Sequence, residues 1–455
     1  MANIVLISAN ITREPFSVYP LGMATVAYDL RKKGHAVSEL DFLVEDQSMD
    51  SLLAFVKNKA PDLIGISLRN IDNCNSINST SYTEFYREIV ANLREVTAVP
   101  IVLGGAGYSL FPEILLKKIG ADYGIAGEGE EIFAKLVDDV SSGNPPLKKI
   151  LSNALPVPAT DMGAPERDNH IASFYSKQGG MLNIQTKRGC PFRCAYCTYP
   201  TLEGRLYRYR PAGSVVDEIE MLIKNHNLEY YFMADSVFND SDGKYLEIAQ
   251  ELVRRQISVP WMAYFKPDRF KREDVALLRK AGLNAVEWGT DCSSDTTLKG
   301  MGKSFTWSQV KESNDLFTTE GISSAHFIIF GGPGETKETV TEGLDNISKL
   351  ANCVVFAATG VRVLPGTPIE QHAISMGILS SGLDLLEPFF YFSPDTPEPY
   401  LDKAIGASFA SRTDRVYPMG EDIERVNMFH KMGYKGPVWD MLLGKRKSGL
   451  RRADS

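Results

Sequence analysis

Over the first 140 residues, short apolar runs alternate with amphipathic ones. "IVLIS" (Ile4 to Ser8) is continuously apolar, the pattern of a strand buried on both faces. "GMATVAYDLRKKG" has apolar positions at helical spacing, and Gly34 supplies the stop. The alternation repeats through "AVSELD" and "LLAFVKNKA", "DLIGIS" and "TEFYREIVANLREV", and "PIVLGG" and "PEILLKKIG". A fifth strand and helix follow in "DYGIAGEGEEIFAKLVDDV". Strands that each precede a helix predict an α/β domain over 1–140, a Rossmann-like, doubly wound parallel sheet. Ligands of such sheets sit at the carboxyl ends of the strands. Here those ends carry "SANITREPFSVYPLG", "SLRNIDN", "GGAGYS" and "GEGE".

The rhythm breaks over 141–180, where "SSGNPPLKK" and "NALPVPATDMGAPERDN" read as a linker rich in Pro, Gly and Ser. Alternation resumes at "MLNIQTKRG" and continues through "YYFMAD", "VPWMAYF", "NAVEWGTD", "SSAHFIIFGG" and "CVVFAATGV". Helical patterns such as "VVDEIEMLIKNHN" and "EDVALLRKAG" lie between them. Six such units predict a partial (β/α)6, TIM-like barrel over 181–376, with its chemistry at the carboxyl ends of the strands. Residues 377–455 are less regular and read as a small region that closes the substrate pocket. "LLEPFFYFSPDTPEPYL" is aromatic, which suits either core packing or an apolar substrate. The run "LLGKRKSGLRR" is basic, as expected of a solvated tail or of a peripheral contact with a membrane surface or carrier protein.

Composition narrows the choice. The chain has 455 residues, 44% hydrophobic and 23% charged, with a net charge of -8 and a pI near 5.5. An acidic balance argues against non-specific nucleic-acid binding. No apolar run reaches the roughly 20 residues that span a bilayer. The start "MANIVLISANITREP" reads as a strand and not as a secretion signal. Six unevenly spaced cysteines suggest no disulfide framework, so a cytoplasmic protein with reduced thiols is expected.

Half of the cysteines fall in "TKRGCPFRCAYCTYP": Cys190, Cys194 and Cys197. Thiolates are soft ligands for zinc or for iron–sulfur clusters. A structural zinc site takes four ligands, usually as two separated pairs. This loop offers three with no histidine nearby, so a four-iron cluster held here would keep one iron open. Cys74, Cys292 and Cys353 read as reduced, partly buried small residues. Tyr199, Tyr207 and Tyr209 either line a pocket or belong to a solvated loop. Arg205, Arg208 and Arg210 are candidates to hold an anion.

"CPFRCAYC" matches the "CxxxCxxC" signature of radical S-adenosylmethionine (SAM) enzymes, and the chain resembles that family over roughly 183–370. The resemblance implies a 4Fe-4S cluster on Cys190, Cys194 and Cys197 whose open iron chelates SAM. It places Tyr196 near the adenine, and Met233, Ala234 and Asp235 of "MADSVFND" near the SAM amino group. "WGTDCSSDTTLKGMGK" is similar to the family's "GxExxxxxxLxxxxK" segment, so Asp291 stands where a glutamate usually holds the ribose hydroxyls. "FIIFGGPGET" implies support for the adenosine end from Gly331, Gly332 and Glu335.

The first 140 residues resemble the cobalamin-binding domain that precedes many of these enzymes, with "YPLGMATVAYDLRKKGHAVSELD" close to its "PPLGLxxLAxxLRxxGHxVxxxD". The "DxHxxG" motif that supplies an axial histidine is absent, and His35 reads as a surface turn residue. The resemblance implies cobalamin contacts from Leu21, Gly22, Ser67, Leu68, Arg69, Gly104, Gly105, Gly107, Glu128, Gly129 and Glu130. It also implies reductive SAM cleavage, hydrogen abstraction and methyl transfer from methylcobalamin to an unactivated carbon of a small-molecule, lipid or natural-product substrate. Electrons would come from a donor such as flavodoxin or ferredoxin. The same motifs serve a non-methylating rearrangement, cyclisation or oxidation, which stays open at this point. A tRNA methylthiotransferase would need three further cysteines in the front domain, where only Cys74 occurs.

Overall fold

The structure, a computed structural model, describes residues 1–13, 17–419 and 428–443. The basic run near the end of the chain falls mostly outside these residues.

The front sheet contains β1 (Asn3–Ser8), β2 (Ala36–Asp41), β3 (Leu63–Ser67), β4 (Ile101–Gly104), β5 (Tyr123–Ile125) and β6 (Ile150–Leu151), in the order β2-β1-β3-β4-β5-β6 and all parallel. The order reverses at β1 and β3, so the carboxyl ends of these strands open a crevice. β1 is apolar along its length because helices cover both faces: Ile4 and Leu6 face one core cluster, Val5 and Ile7 the other.

The stretch expected to be a linker adds structure of its own. Ile150 and Leu151 extend the front sheet beside β5. Asp168 then caps a helix, Asn169–Gln178, with its carboxylate accepting from the backbone N–H groups of His170 and Ile171. The proline-rich composition masked the helical spacing of Ile171, Ala172 and Tyr175, which are buried. The Tyr175 hydroxyl lies 3.1 Å from Asp41 Oδ2. Burial pushes the Asp41 carboxyl up to about 6.

The second sheet begins with β7 (Leu182–Ile184). A small hairpin, β8 (Lys187–Arg188) with β9 (Arg208–Tyr209), brackets the cysteine loop. There follow β10 (Tyr231–Met233), β11 (Trp261–Phe265), β12 (Leu283–Asp291), β13 (Ser323–Phe330) and β14 (Cys353–Thr359). A two-stranded pair, β15 (Val361–Arg362) with β16 (Phe390–Tyr391), comes next, and β17 (Arg415–Val416) joins the edge beside β14. The order β17-β14-β13-β12-β11-β10-β7 is that of a partial parallel barrel, the six predicted strands with one short addition.

The chain's last described segment closes the barrel's lower end. A 3₁₀ turn, Val438–Leu443, puts Trp439 among Met181, Tyr230, Phe232, Met262, Ala285, Ala325 and Val354 in one buried cluster. The Trp439 indole N–H donates to Glu287 Oε1 at 2.9 Å. Burial pushes the Glu287 carboxyl up to about 7. The aromatic stretch near 390 packs into the core: a Cβ built at Gly360 would stand 2.6 Å from the Phe392 ring.

Three expectations change. His35 is buried, not a surface turn residue; its Nδ1 accepts from the Ala2 backbone N–H at 3.4 Å, because the turn folds back against the start of β1. Cys292 and Cys353 are buried as expected, but Cys74 is exposed, held at φ 50° in the loop after β3. Arg208 and Arg210 are engaged in ion pairs with Glu128 and Glu218, so neither is free to hold an anion.

Candidate active site at the barrel mouth and sheet edge

The cysteine loop is tied down from several sides. The Cys190 N–H donates to Gly204 O at 3.0 Å and the Ala195 N–H to Met301 O at 2.9 Å. The Ile369 N–H donates to Ala195 O at 2.9 Å. Gly302, at φ +70°, lies so close that an added Cβ would be 2.4 Å from Arg193 O. All three thiols are free. Burial raises the Cys190 thiol and pushes Cys197 up to about 12, with the neighbouring thiols adding to both. Thiolates in such a place need a cationic partner to hold them. Among the described residues, no three His, Cys, Asp or Glu side chains converge as a single metal ion requires. Three free thiols on one constrained loop are a donor set that suits an iron–sulfur cluster.

Beside the loop stands a compact polar group. Asp291 ends β12 at φ 59° and takes hydrogen bonds from the Tyr196 hydroxyl and the Lys303 ammonium. Lys303 Nζ also lies 3.3 Å from Cys194 Sγ and 3.4 Å from Gly289 O. The turn after β13 packs on the same region, where a Cβ at Gly332 would meet Met301 Sδ at 3.1 Å. Within that turn the Gly331 N–H donates to the Glu335 carboxyl. Burial nevertheless pushes this carboxyl up to about 7.

The main cavity, about 570 Å³, lies between the carboxyl edge of the front sheet and the barrel mouth. From the front sheet, Leu21, Gly22, Ser67, Arg69, Gly104, Gly105, Gly107, Glu128, Gly129 and Glu130 line it. The barrel contributes Asn183, Gln185, Tyr199, Phe232, Ala234 and Tyr264. The front wall is bare backbone over much of its width: a Cβ at Gly22 or Gly127 would meet nothing within 4 Å. Gly105 is different. It holds φ +95°, and a Cβ there would be 2.6 Å from Leu68 O, so only glycine lets the loops after β3 and β4 close together. Arg69 is exposed to the cavity and makes no ion pair among the described residues. Among the described residues, no histidine lines this cavity.

Ion pairs lock the two halves around the cavity. Arg188, beside the cysteine loop, reaches Glu128 Oε1 at 3.0 Å and Glu130 Oε1 at 2.6 Å, while Arg208 reaches Glu128 Oε1 at 2.7 Å. Burial opposes the charge on Glu128, but the Arg208 and Arg188 guanidiniums hold its carboxyl below the usual range. On the other side Asp72 and Arg362 form a buried pair at 2.8 Å, and the Ser76 hydroxyl donates to Thr359 O at 2.6 Å.

Most residues singled out in the sequence therefore gather in two adjoining places. Cys194, Tyr196 and Asp291 meet at the loop, and the front-sheet residues meet at the cavity. Leu68, Met233 and Asp235 do not face that cavity. Leu68 and Met233 are fully buried among apolar residues. Asp235 accepts from the Thr186 N–H at 2.7 Å and from Lys187 Nζ at 3.1 Å, pinning the end of β7 from within. Of the three candidate tyrosines, Tyr199 lines the cavity and Tyr207 and Tyr209 do not.

Sequence reasoning gave no role to Lys303, the lysine that closes the quoted "WGTDCSSDTTLKGMGK" segment, and missed Arg188, Asn183, Gln185 and Tyr264. Asn183 in β7 and Gln185 just after it carried a usable signal, polar residues two apart on a buried extended stretch, which marks an inward wet face.

A family model for the B12 binding domain matches residues 7–137, and one for the radical SAM superfamily matches 184–347. Tryptophan 2-C-methyltransferase of Streptomyces laurentii is 25% identical, over 80% of this chain and 73% of its own. Anaerobic magnesium-protoporphyrin IX monomethyl ester cyclase of Rubrivivax gelatinosus is 27% identical, over 71% of this chain and 60% of its own. The solved structure of the radical SAM methyltransferase TsrM from Kitasatospora setae, with cobalamin and a 4Fe-4S cluster bound, superposes with a TM-score of 0.85. It is 23% identical and covers 98% of both chains.

Proposed function

We propose, from the premise that this chain belongs to the radical SAM enzymes that carry a B12-binding front domain, that it transfers a methyl group from cobalamin to a carbon atom of a small-molecule substrate. One observation carries the reading: a single cavity is walled on one side by the front sheet's loops and on the other by the barrel mouth, with the cysteine loop at its border. The bound groups would supply reductive SAM cleavage to a 5′-deoxyadenosyl radical and a transferable methyl group.

The chain's own residues do the rest by position. Cys190, Cys194 and Cys197 would hold the cluster and leave one iron for SAM. Tyr196 and Asp291 would meet the adenine and ribose, and Gly331, Gly332 and Glu335 would shape the turn behind them. The bare backbone at Gly22 and Gly127 suits the flat face of a corrin, Gly104, Gly105 and Gly107 line the same wall, and Arg69 makes no ion pair among the described residues and supplies a cation there. The ion pairs of Arg188 and Arg208 close the walls, so the radical meets substrate and not solvent. Arg193 and Arg205, exposed near the cysteine loop, suit an acidic one-electron donor such as flavodoxin or ferredoxin. No described helix is long and apolar enough to cross a membrane.

The test is anaerobic reconstitution with cobalamin, iron and sulfide, desalting, and incubation with SAM and a reductant. Cluster absorbance with near one cobalamin per chain is expected, and both S-adenosylhomocysteine and 5′-deoxyadenosine should form. The cyclase relative favours a second reading, in which 5′-deoxyadenosine forms without S-adenosylhomocysteine. Retained reductive cleavage in Cys194→Ala would refute the cluster assignment.

A further inference from the structure

We propose that Lys303 sets the electron affinity of the cluster, by holding its ammonium group against the Cys194 sulfur. The inference rests on the cluster assignment above and adds a residue to it.

Lys303 is an unusual place for a lysine. Its side chain is 5% exposed, at the end of a short helix, Asp295–Gly300, and the tight turn that follows. An ammonium has three N–H donors. Here they face four acceptors: the Asp291 carboxylate, Cys194 Sγ at 3.3 Å, and Tyr196 Oη and Gly289 O, each at 3.4 Å. An ion pair with Asp291 would need none of the other three. The position is held from the backbone, because the Lys303 N–H donates to Leu298 O at 2.9 Å and the preceding residue packs on Arg193 O. Lysine and cysteine loop are thereby fixed to each other.

The consequence is electrostatic. Cluster potentials respond to net charge, solvent exposure and hydrogen bonds to sulfur. A cluster gains one negative charge when it takes an electron. An N–H donor and a positive charge at a ligand sulfur stabilise that reduced form. Asp291, bound to the same ammonium, acts in the opposite sense. The two residues should therefore move the potential in opposite directions when each is neutralised.

The experiment is redox potentiometry of the reconstituted enzyme, with the reduced cluster followed by its electron paramagnetic resonance signal, on wild type, Lys303→Met, Lys303→Arg and Asp291→Asn. Iron content and the signal itself are read first; wild-type protein without a cluster would sink the underlying assignment. In cluster-loaded protein, Lys303→Met should lower the reduced-to-oxidised ratio at a fixed potential at least tenfold, which is 59 mV for one electron. Lys303→Arg should recover most of that loss, and Asp291→Asn should shift the midpoint upward. Where Lys303→Met loads no cluster, the upward shift in Asp291→Asn, which keeps the lysine, decides the matter. Midpoints unmoved in both variants, or moved in the same direction, would overturn the proposal even with the cluster in place. Weaker SAM binding in Lys303→Met with an unmoved midpoint would overturn it too, and would make Lys303 a SAM contact instead.

Discussion

Replacing Arg188 with methionine tests how the two halves are held together. The change keeps the length of the side chain and removes the charge. Arg188 is the one ion-pair partner described for Glu130, at 2.6 Å, and it shares Glu128 with Arg208. The side chains of Arg188, Glu128 and Glu130 are 11%, 9% and 8% exposed, so water screens the pairs little. Breaking a buried pair by removing one partner costs about 3–5 kcal/mol. Glu128 keeps Arg208, so the expected loss falls on Glu130 and comes to about 3 kcal/mol. In a domain of 150–250 residues that lowers the unfolding midpoint by about 6–12 °C. The assay is calorimetry at pH 7 on wild type, Arg188→Met and Arg188→Met/Glu130→Gln. The double variant should recover most of the loss, because it leaves no bare carboxylate. A deficit under about 1 kcal/mol, or a double variant as weak as the single, would refute the account.

Two further outcomes follow from other sites. Gly302→Ala puts a side chain at φ +70° and forces it against Arg193 O, which together cost about 2–5 kcal/mol. The cysteine loop should shift and iron content after reconstitution should fall, with the fold retained by circular dichroism. His326 is buried between Thr290 Oγ1 at 2.8 Å and Asn314 Oδ1 at 3.2 Å, and burial lowers it to about 3. A histidine depressed in the folded state contributes stability that is present above its ordinary value of 6.5 and is lost as the pH falls toward 3. That span corresponds to about 5 kcal/mol. His326→Gln should flatten the acid limb of the stability profile in urea melts between pH 7 and pH 4, and an unchanged limb would rule His326 out as its source.

Much of the architecture was legible because its signals are local. Short apolar runs such as "IVLIS" and "CVVFAATGV", rich in β-branched residues, read as strands buried on both faces, and the helices between them favour parallel order. The cysteine triplet was legible for the same reason, since its three thiols occupy one loop. What escaped reading depends on long-range pairing. Arg188 meets Glu128 across 60 residues, and Asp72 meets Arg362 across 290. Nothing near either residue announces its partner. Asp235 was ambiguous for a related reason. An aspartate after a strand can face a ligand or turn inward to bind its neighbours, and only the placement of Thr186 and Lys187 decides which. The helix Asn169–Gln178 was hidden because the prolines before it dominate the composition of its window.

The tryptophan that seals the lower end of the barrel also orders the making of the molecule. The front sheet is complete at Leu151, whereas Trp439 lies about 290 residues further along. At a synthesis rate of about 5–20 residues per second, the front half exists for roughly 15–60 s before the barrel can be finished. During that interval Met181, Tyr230, Phe232 and Met262 have been made, and the indole that covers them has not. The growing chain thus carries an open, sticky tube on a finished neighbour. Its yield in a cell should depend on chaperones that shield this half-built stage more than on the stability of the completed enzyme.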